Sequence, residues 1–243
     1  MLQLFEFSLE FPKGQHVHPS MGSIFHGALM EKFSPEVATA FHEKGMRPYS
    51  QAVFWDAQQR QARWHIGVLN EDVGTLIQQI LSDGSTLYLR KKDYAVTLNT
   101  VTHQQYEAEY YLQPNSPLPK GADIQFLTTT SFKRSGAHVL FPEPGLLYQS
   151  IAQRWPLLSR VELEKNIAEV LSYYTIIQDY DLHTDIFQLE GHGVKGFAGT
   201  LHLRFGGNDF VRHMAAALLA CGTFTGFGVK TALGMGAAYV HIL

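Results

Sequence analysis

The sequence has a single cysteine, Cys221. That excludes an internal disulfide and any cysteine-cluster metal site, and it suits a reducing cytoplasm. No apolar run approaches ~20 residues, so no segment is expected to span a bilayer. The opening Met-Leu-Gln-Leu-Phe-Glu-Phe alternates like a strand and lacks a basic start, so it is not expected to be a signal peptide. Charged residues make up only 17% of the chain, and the net charge is −3. A nucleic-acid binder usually shows basic excess, so any such surface here has to be a local patch. Twelve histidines could add charge to it below about pH 6.5. A nucleophile elbow and a paired-carboxylate motif are both missing. His16-Val-His18 has no cysteine or carboxylate nearby and reads as a solvated loop rather than a ligand pair. Neither a metal nor a cofactor is expected.

With 45% hydrophobic residues, a chain of 243 can bury a substantial core in one large or two small domains. Residues Leu2 to Phe11 alternate apolar and polar and predict a half-buried strand. From Ser20 to Phe33, Ile24, Phe25, Ala28 and Leu29 recur at helical spacing, with Ser20 as N-cap. Ser34-Pro35 opens a second short helix that Gly45 ends. Strands are predicted near Tyr49–Trp55 and Arg63–Leu69, then a helix from Glu71 to Leu81. Strands near Thr86–Arg90 and Ala95–Val101 close the half.

Pro114-Asn-Ser-Pro-Leu-Pro-Lys-Gly121 reads as a linker between a domain over 1–113 and another over 122–243. The second set runs through strands at Ile124–Phe132 and His138–Phe141 and helices at Gly145–Leu158 and Val161–Leu171. Extended segments follow at Tyr173–Leu189 and Lys195–Phe205. A helix capped by Asn208 or Asp209 and a last strand, Ala238–Leu243, complete it. Strand, helix, strand, strand, helix, strand is the ferredoxin-like βαββαβ order. The fold class expected is therefore α+β, with two such halves in tandem.

Between the last helix and the last strand lies Gly226-Phe-Gly-Val-Lys-Thr-Ala-Leu-Gly-Met-Gly236. Glycine there costs roughly 0.5–1 kcal/mol per position in regular structure, so four of them in one loop need a reason. One reason is a row of exposed backbone N–H groups, helped by Lys230, facing phosphates. A Walker loop is excluded because Val229 separates Gly228 from Lys230. A dinucleotide fingerprint is excluded because only Ala237 to Leu243 remain to follow it. A lone glycine-rich turn is more often a plain tight connection between helix and strand.

The Gly-Φ-Gly-x5-Gly-Φ-Gly spacing ahead of a last short strand resembles the glycine-rich loop of the CRISPR-associated RAMP proteins. In particular it is similar to the repeat-processing endoribonucleases of the Cas-six type. Phe25-His26-Gly27, Phe41-His42-Glu43 and Phe-Lys-Arg-Ser-Gly136 also resemble segments of that family. The resemblance implies an endoribonuclease that cuts CRISPR precursor RNA within its repeats, leaving a 5′-hydroxyl and, initially, a 2′,3′-cyclic phosphate. It implies His42 and His26 as catalytic residues, with Arg47 or Lys44 as the nearby cation. It also implies Lys133, Arg134 and Lys195 as RNA contacts, together with Gly226, Gly228, Lys230, Thr231, Gly234 and Gly236 of the loop.

By pattern alone, His26 and His42 each stand about 100° from an apolar neighbour and read as surface histidines. The chemistry nonetheless asks for such a set. Attack by a ribose 2′-hydroxyl needs a base, an acid at the leaving oxygen, and positive charge for the phosphorane. Histidine serves either proton-transfer role, each worth typically about 10²–10⁴-fold, and a guanidinium matches phosphate. Which histidine is acid and which is base stays open, as do the repeat's sequence and the oligomeric state. The expected partners are CRISPR repeat RNA and, beyond it, a CRISPR effector complex. A non-catalytic RNA-binding RAMP subunit of such a complex is the alternative, and a small-molecule enzyme or regulator on the same fold is a further one.

Overall fold

The alternating N-terminal segment forms β1 (Leu2–Glu10), but it is buried on both faces rather than one. Phe5, Phe7 and Leu9 pack into one core, while Leu2 and Leu4 pack into a second. A strand covered by helices on one side and by the rest of the chain on the other has no solvent face, which is why the half-buried expectation fails. The computed structural model describes residues 1–42, 47–189 and 191–243, with the side chains of Ala40 and His42 left aside.

β1 is central in a sheet with β2 (Tyr49–Asp56), β3 (Gln61–Val68), β4 (Thr86–Leu89) and β5 (Tyr94–Tyr106). Their order is β2-β3-β1-β5-β4, and the neighbours are antiparallel. Three helices belong to this part: α1 (Gly22–Met30), α2 (Pro35–His42) and α3 (Glu71–Ile80). Asn70 caps α3, its Oδ1 accepting from the Val73 amide at 2.9 Å. Ser34 caps α2 ahead of Pro35, as expected, with its Oγ 3.5 Å from the Val37 amide. Ser20 does not cap α1. Pro19–Met21 instead form a 3-10 turn whose cap is His18, and α1 begins only at Gly22. The Ser20 hydroxyl accepts from the Gln188 amide at 3.1 Å, so it is spent on a long-range contact.

The second sheet has the order β11-β6-β10-β9, from β6 (Gly121–Thr130), β9 (Thr175–Leu189), β10 (His192–Phe205) and β11 (Ala238–Ile242). Its neighbours are again antiparallel. A small hairpin, β7 (Phe132–Arg134) with β8 (Ala137–Val139), follows β6. Helices α4 (Pro144–Ala152), α5 (Ile167–Tyr173), α6 (Asp209–Ala220) and α7 (Gly222–Thr225) complete this part. Asn208 caps α6, accepting from the Val211 amide at 3.0 Å. The helix expected from Val161 starts only at Ile167. The Val161 carbonyl accepts from the Trp155 indole at 2.7 Å and its amide bonds the Ser159 hydroxyl at 2.9 Å, so both backbone groups are drawn out of a helical ladder.

The two sheets meet through buried polar contacts. His65 on β3 faces Glu6 on β1 at 3.2 Å and bonds the Thr223 carbonyl at 2.8 Å, while the Tyr239 hydroxyl of β11 donates to Glu6. Gly67 lies so close to α7 that a Cβ there would sit 1.9 Å from the Phe224 carbonyl oxygen. Among the described residues, no helix is long and apolar enough to cross a membrane.

Candidate active site

His26 is the first residue whose pattern misleads. The edge of the α1 stripe is itself covered, and His26 is only 6% exposed. Phe41 of α2 packs close by, with its ring 5.3 Å from Phe33 and 5.6 Å from Tyr49. Tyr49, the first residue of β2, holds the imidazole: its hydroxyl is 2.6 Å from His26 Nδ1, and the two rings lie nearly parallel. Burial pushes the Tyr49 phenol far above its ordinary range, with Arg47 acting in the opposite direction. The phenol therefore keeps its proton, and the imidazole tautomer sets which of the two groups donates in this hydrogen bond. Tyr49 was not singled out in the sequence. Its only signal is its position two residues after the candidate Arg47, at the start of an apolar strand.

Arg47 is half-buried and reaches back to the end of α2, where Nε donates to the Phe41 carbonyl at 3.4 Å. A helix C-terminus carries partial negative charge and favours a cation at that place. His42 is the last residue of α2, and its side chain lies outside the described residues. Lys44, the competing cation, and Gly45, the expected helix stop, lie outside them as well. The structure thus gathers His26, Tyr49 and Arg47 against the end of the helix that His42 terminates.

The glycine segment departs from the expected row of exposed amides. The Gly226 amide bonds Gly222 O, that of Phe227 bonds Gly236 O, and that of Val229 bonds Ser131 O, at 2.9, 2.8 and 2.9 Å. The Gly228 amide donates to Ser150 Oγ at 2.8 Å, and the Gly236 amide to Thr129 O at 3.0 Å. Gly226, Gly234 and Gly236 are buried. Glycine is required here by crowding within the protein itself. A Cβ on Gly228 would lie 2.2 Å from Ser131 O, and one on Gly236 would lie 2.0 Å from Phe227 O; both have positive φ. Thr231 is also buried, so Lys230 is the residue of this set with an exposed side chain. Its backbone is left-handed, with φ at 57°.

What the segment does is hold α1. A Cβ on Gly22, the first residue of α1, would be 2.7 Å from Gly234 Cα. Gln51 of β2 donates to both Gly22 O and Ala232 O, at 2.8 and 2.9 Å, and accepts from the Trp64 indole. Arg154 supports the other side, its Nη2 donating to Gly228 O at 3.1 Å and reaching Thr231 Oγ1 at 3.3 Å. Burial lowers its guanidinium to about 10, so it remains charged at neutral pH. Sequence reasoning had no route to Arg154, which lies 74 residues before the carbonyl it binds.

The remaining candidates are spread over the second half. Lys133 on β7 is exposed and lines a cavity of about 190 Å³ together with Gly228 and Val229, so it does adjoin the glycine segment. Arg134 is exposed but bound in a fork to Glu143, at 2.5 and 2.8 Å, which offsets its charge. Lys195 is exposed on β10, opposite Ile186 of β9.

Residues 124–238 match the family model described as CRISPR-associated endoribonuclease Cas6. A CRISPR-associated endoribonuclease Cas6 of Streptococcus thermophilus is 26% identical over 230 residues, covering 93% of this chain and 93% of that protein. One of Mycobacterium tuberculosis is 25% identical over 232 residues, covering 92% of this chain and 73% of that protein. Among solved structures, a Thermus thermophilus Cas6 product complex has a TM-score of 0.78 at 20% identity, covering 99% of this chain and 100% of that one.

Proposed function

The chain belongs to the CRISPR-associated endoribonuclease Cas6 family and is an endoribonuclease that processes precursor CRISPR RNA, and from that premise we propose how it cuts. The ribose 2′-hydroxyl just 5′ of the scissile phosphate attacks that phosphorus, and the 5′-oxygen leaves. The products are a 2′,3′-cyclic phosphate and a 5′-hydroxyl, with no metal ion taking part. His26 and His42 carry the two proton transfers, and Arg47, or Lys44 in its place, stabilises the phosphorane. Tyr49 is a positioning residue that fixes the His26 ring.

The observation that carries this reading is the Arg47 contact with the end of α2, beside the Tyr49 that holds His26. It supports a role for a guanidinium that never loses its proton at the end of α2. RNA is engaged from the second half by Lys133, Lys195 and Lys230, with Arg134 a weaker participant because of Glu143. The strand orders β2-β3-β1-β5 and β11-β6-β10-β9 support two ferredoxin-like units over 1–113 and 122–243, joined at 114–121. Single-turnover cutting of the repeat RNA tests the assignment. His42→Ala should lower the rate by about 100-fold or more while leaving RNA affinity within a few-fold. A variant that cuts like the wild type removes His42 from the catalytic set.

A further inference from the structure

At the end of β10, Lys120, Arg204 and Arg212 line one cavity of about 370 Å³ with Ile176, Phe205 and Gly206. Among the described residues, none of the three cations forms an ion pair. Asp209, one turn before Arg212 on α6, makes none with it either. Arg212 Nε is buried with no hydrogen-bond partner. An orphaned guanidinium nitrogen is costly, since a buried donor left unsatisfied forfeits its hydration without return. In a chain whose net charge is −3, three uncompensated cations around one cavity mark a place for an anion.

The surroundings narrow the choice of anion. Tyr173 is 82% exposed and Phe210 is 65% exposed, the first next in the chain to Tyr174 and the second two residues before the cavity-lining Arg212. The Gly206 amide donates to the Tyr174 carbonyl at 2.7 Å, and the turn at Gly207 packs on the Tyr174 ring. Phe210 precedes Arg212 by two residues on α6. Cations that track a backbone, beside exposed aromatic faces on which bases stack, are the two components of a single-strand nucleic-acid site.

We propose that this cavity binds a phosphate of single-stranded RNA, with the adjoining bases stacked on Phe210 and Tyr173. The proposal rests on the endoribonuclease reading and names a second RNA-binding surface for it. β10 is 14 residues long and its other end lies at the hairpin with β9, whose Gln188 touches Ser20 ahead of α1. At about 3.3 Å per residue the cavity is therefore roughly 40 Å from the α1 end of the sheet. It holds a stretch of RNA remote from the bond that is cut.

The probe is a labelled uridine homopolymer of about 20 nucleotides, longer than a typical single-strand site, bound to the full chain at several salt concentrations. Cutting of the repeat RNA at saturation is followed in parallel. For single strands each neutralised phosphate contributes about 0.7 to the slope of log K against log salt, so the Lys120→Gln/Arg204→Gln double variant, which gives up the one phosphate held in the cavity, should lower that slope by about 0.7. Phe210→Ala should weaken binding about 5-fold or more. Both positions are exposed, and a Lys91→Gln/Lys92→Gln control with the same change in net charge should keep the wild-type slope. Saturated cutting should be unchanged in all of them. If the wild type fails to cut the repeat, the endoribonuclease reading fails, whatever the slope. If the wild type cuts and the double variant keeps the wild-type affinity and slope, the proposal is overturned, including the case where the cavity serves an acidic protein surface instead.

Discussion

The Tyr49 hydroxyl and His26 Nδ1 are 2.6 Å apart in a buried setting, so a strand residue sets the ring orientation of a helix residue. Removing that hydroxyl tests whether orientation matters to the reaction. Tyr49→Phe leaves a buried ring nitrogen without this partner, which costs about 1–3 kcal/mol of stability. If His26 transfers a proton, the variant should also lose at least about 10-fold in single-turnover rate, a part of the 10²–10⁴ such a group supplies. RNA affinity should stay within a few-fold and the shape of the pH–rate profile should change. A purely structural Tyr49 would lower the melting temperature and leave that profile alone.

The glycine segment predicts opposite outcomes at neighbouring positions. Gly228→Ala forces a Cβ to 2.2 Å from the Ser131 carbonyl at a positive φ. It should destabilise the protein by several kcal/mol on steric grounds, in line with other large overpacking losses of about 1–3 kcal/mol or more. Lys230→Gly does the reverse. A left-handed lysine costs roughly 1–2 kcal/mol, which glycine relieves while giving back about 0.5–1 kcal/mol in unfolded-state entropy. Stability should be unchanged or slightly higher. Binding of repeat RNA should weaken, with the salt slope reduced by about 0.7–0.9 for the lost cation. Equal binding by Lys230→Gly would remove the lysine from the RNA surface and leave the segment as scaffold.

Local signals carried most of the fold. Asn70 and Asn208 cap the helices they precede, and β9 and β10 run close to their expected limits. What failed depends on distant chain. The half-buried expectation for β1 could not anticipate that Leu2 and Leu4 meet a core built more than a hundred residues later. The glycine spacing could not reveal what crowds that segment, because Ser131 O and Ser150 Oγ are contributed by other elements. The site was half legible. His26 and Arg47 stood out as residue types, whereas Tyr49, Gln51 and Arg154 acquire their roles only through tertiary contacts. Ser20 shows the same limit in small, a sound capping residue whose hydroxyl is used by Gln188.

The junction of the two sheets should be acid-sensitive. Burial alone would raise the Glu6 carboxyl, but the hydrogen bond and charge of His65, with Tyr239 and Arg63, hold it below its ordinary value of 4.5. A carboxyl lowered in the folded state contributes stability that is fully present above 4.5 and is lost as pH falls through the folded-state value. The melting temperature of the wild type should therefore drop as the pH is lowered from about 5 towards 3. Glu6→Gln should be less stable at neutral pH and should lose part of that acid dependence. A parallel pH profile for the two proteins would detach Glu6 from the effect.

The reaction itself makes the sharpest prediction. Two histidines and a guanidinium meet the needs of internal transesterification: one proton leaves the 2′-oxygen, one reaches the 5′-oxygen, and the phosphorane is offset by fixed positive charge. Nothing in that sequence of events asks for a cation from solution, so cutting should persist in excess EDTA at the wild-type rate. In the proposed mechanism the nucleophile belongs to the RNA. A repeat with a single 2′-deoxy nucleotide just 5′ of the scissile phosphate should bind about normally and resist cutting, because one oxygen is missing and every protein contact remains. The pH–rate profile should show ionisations in the histidine range, as macroscopic values of the coupled pair rather than of either residue. Cutting of the deoxy repeat at the same bond, or strict dependence on Mg²⁺, would falsify the mechanism and take from His26 and His42 the roles assigned to them.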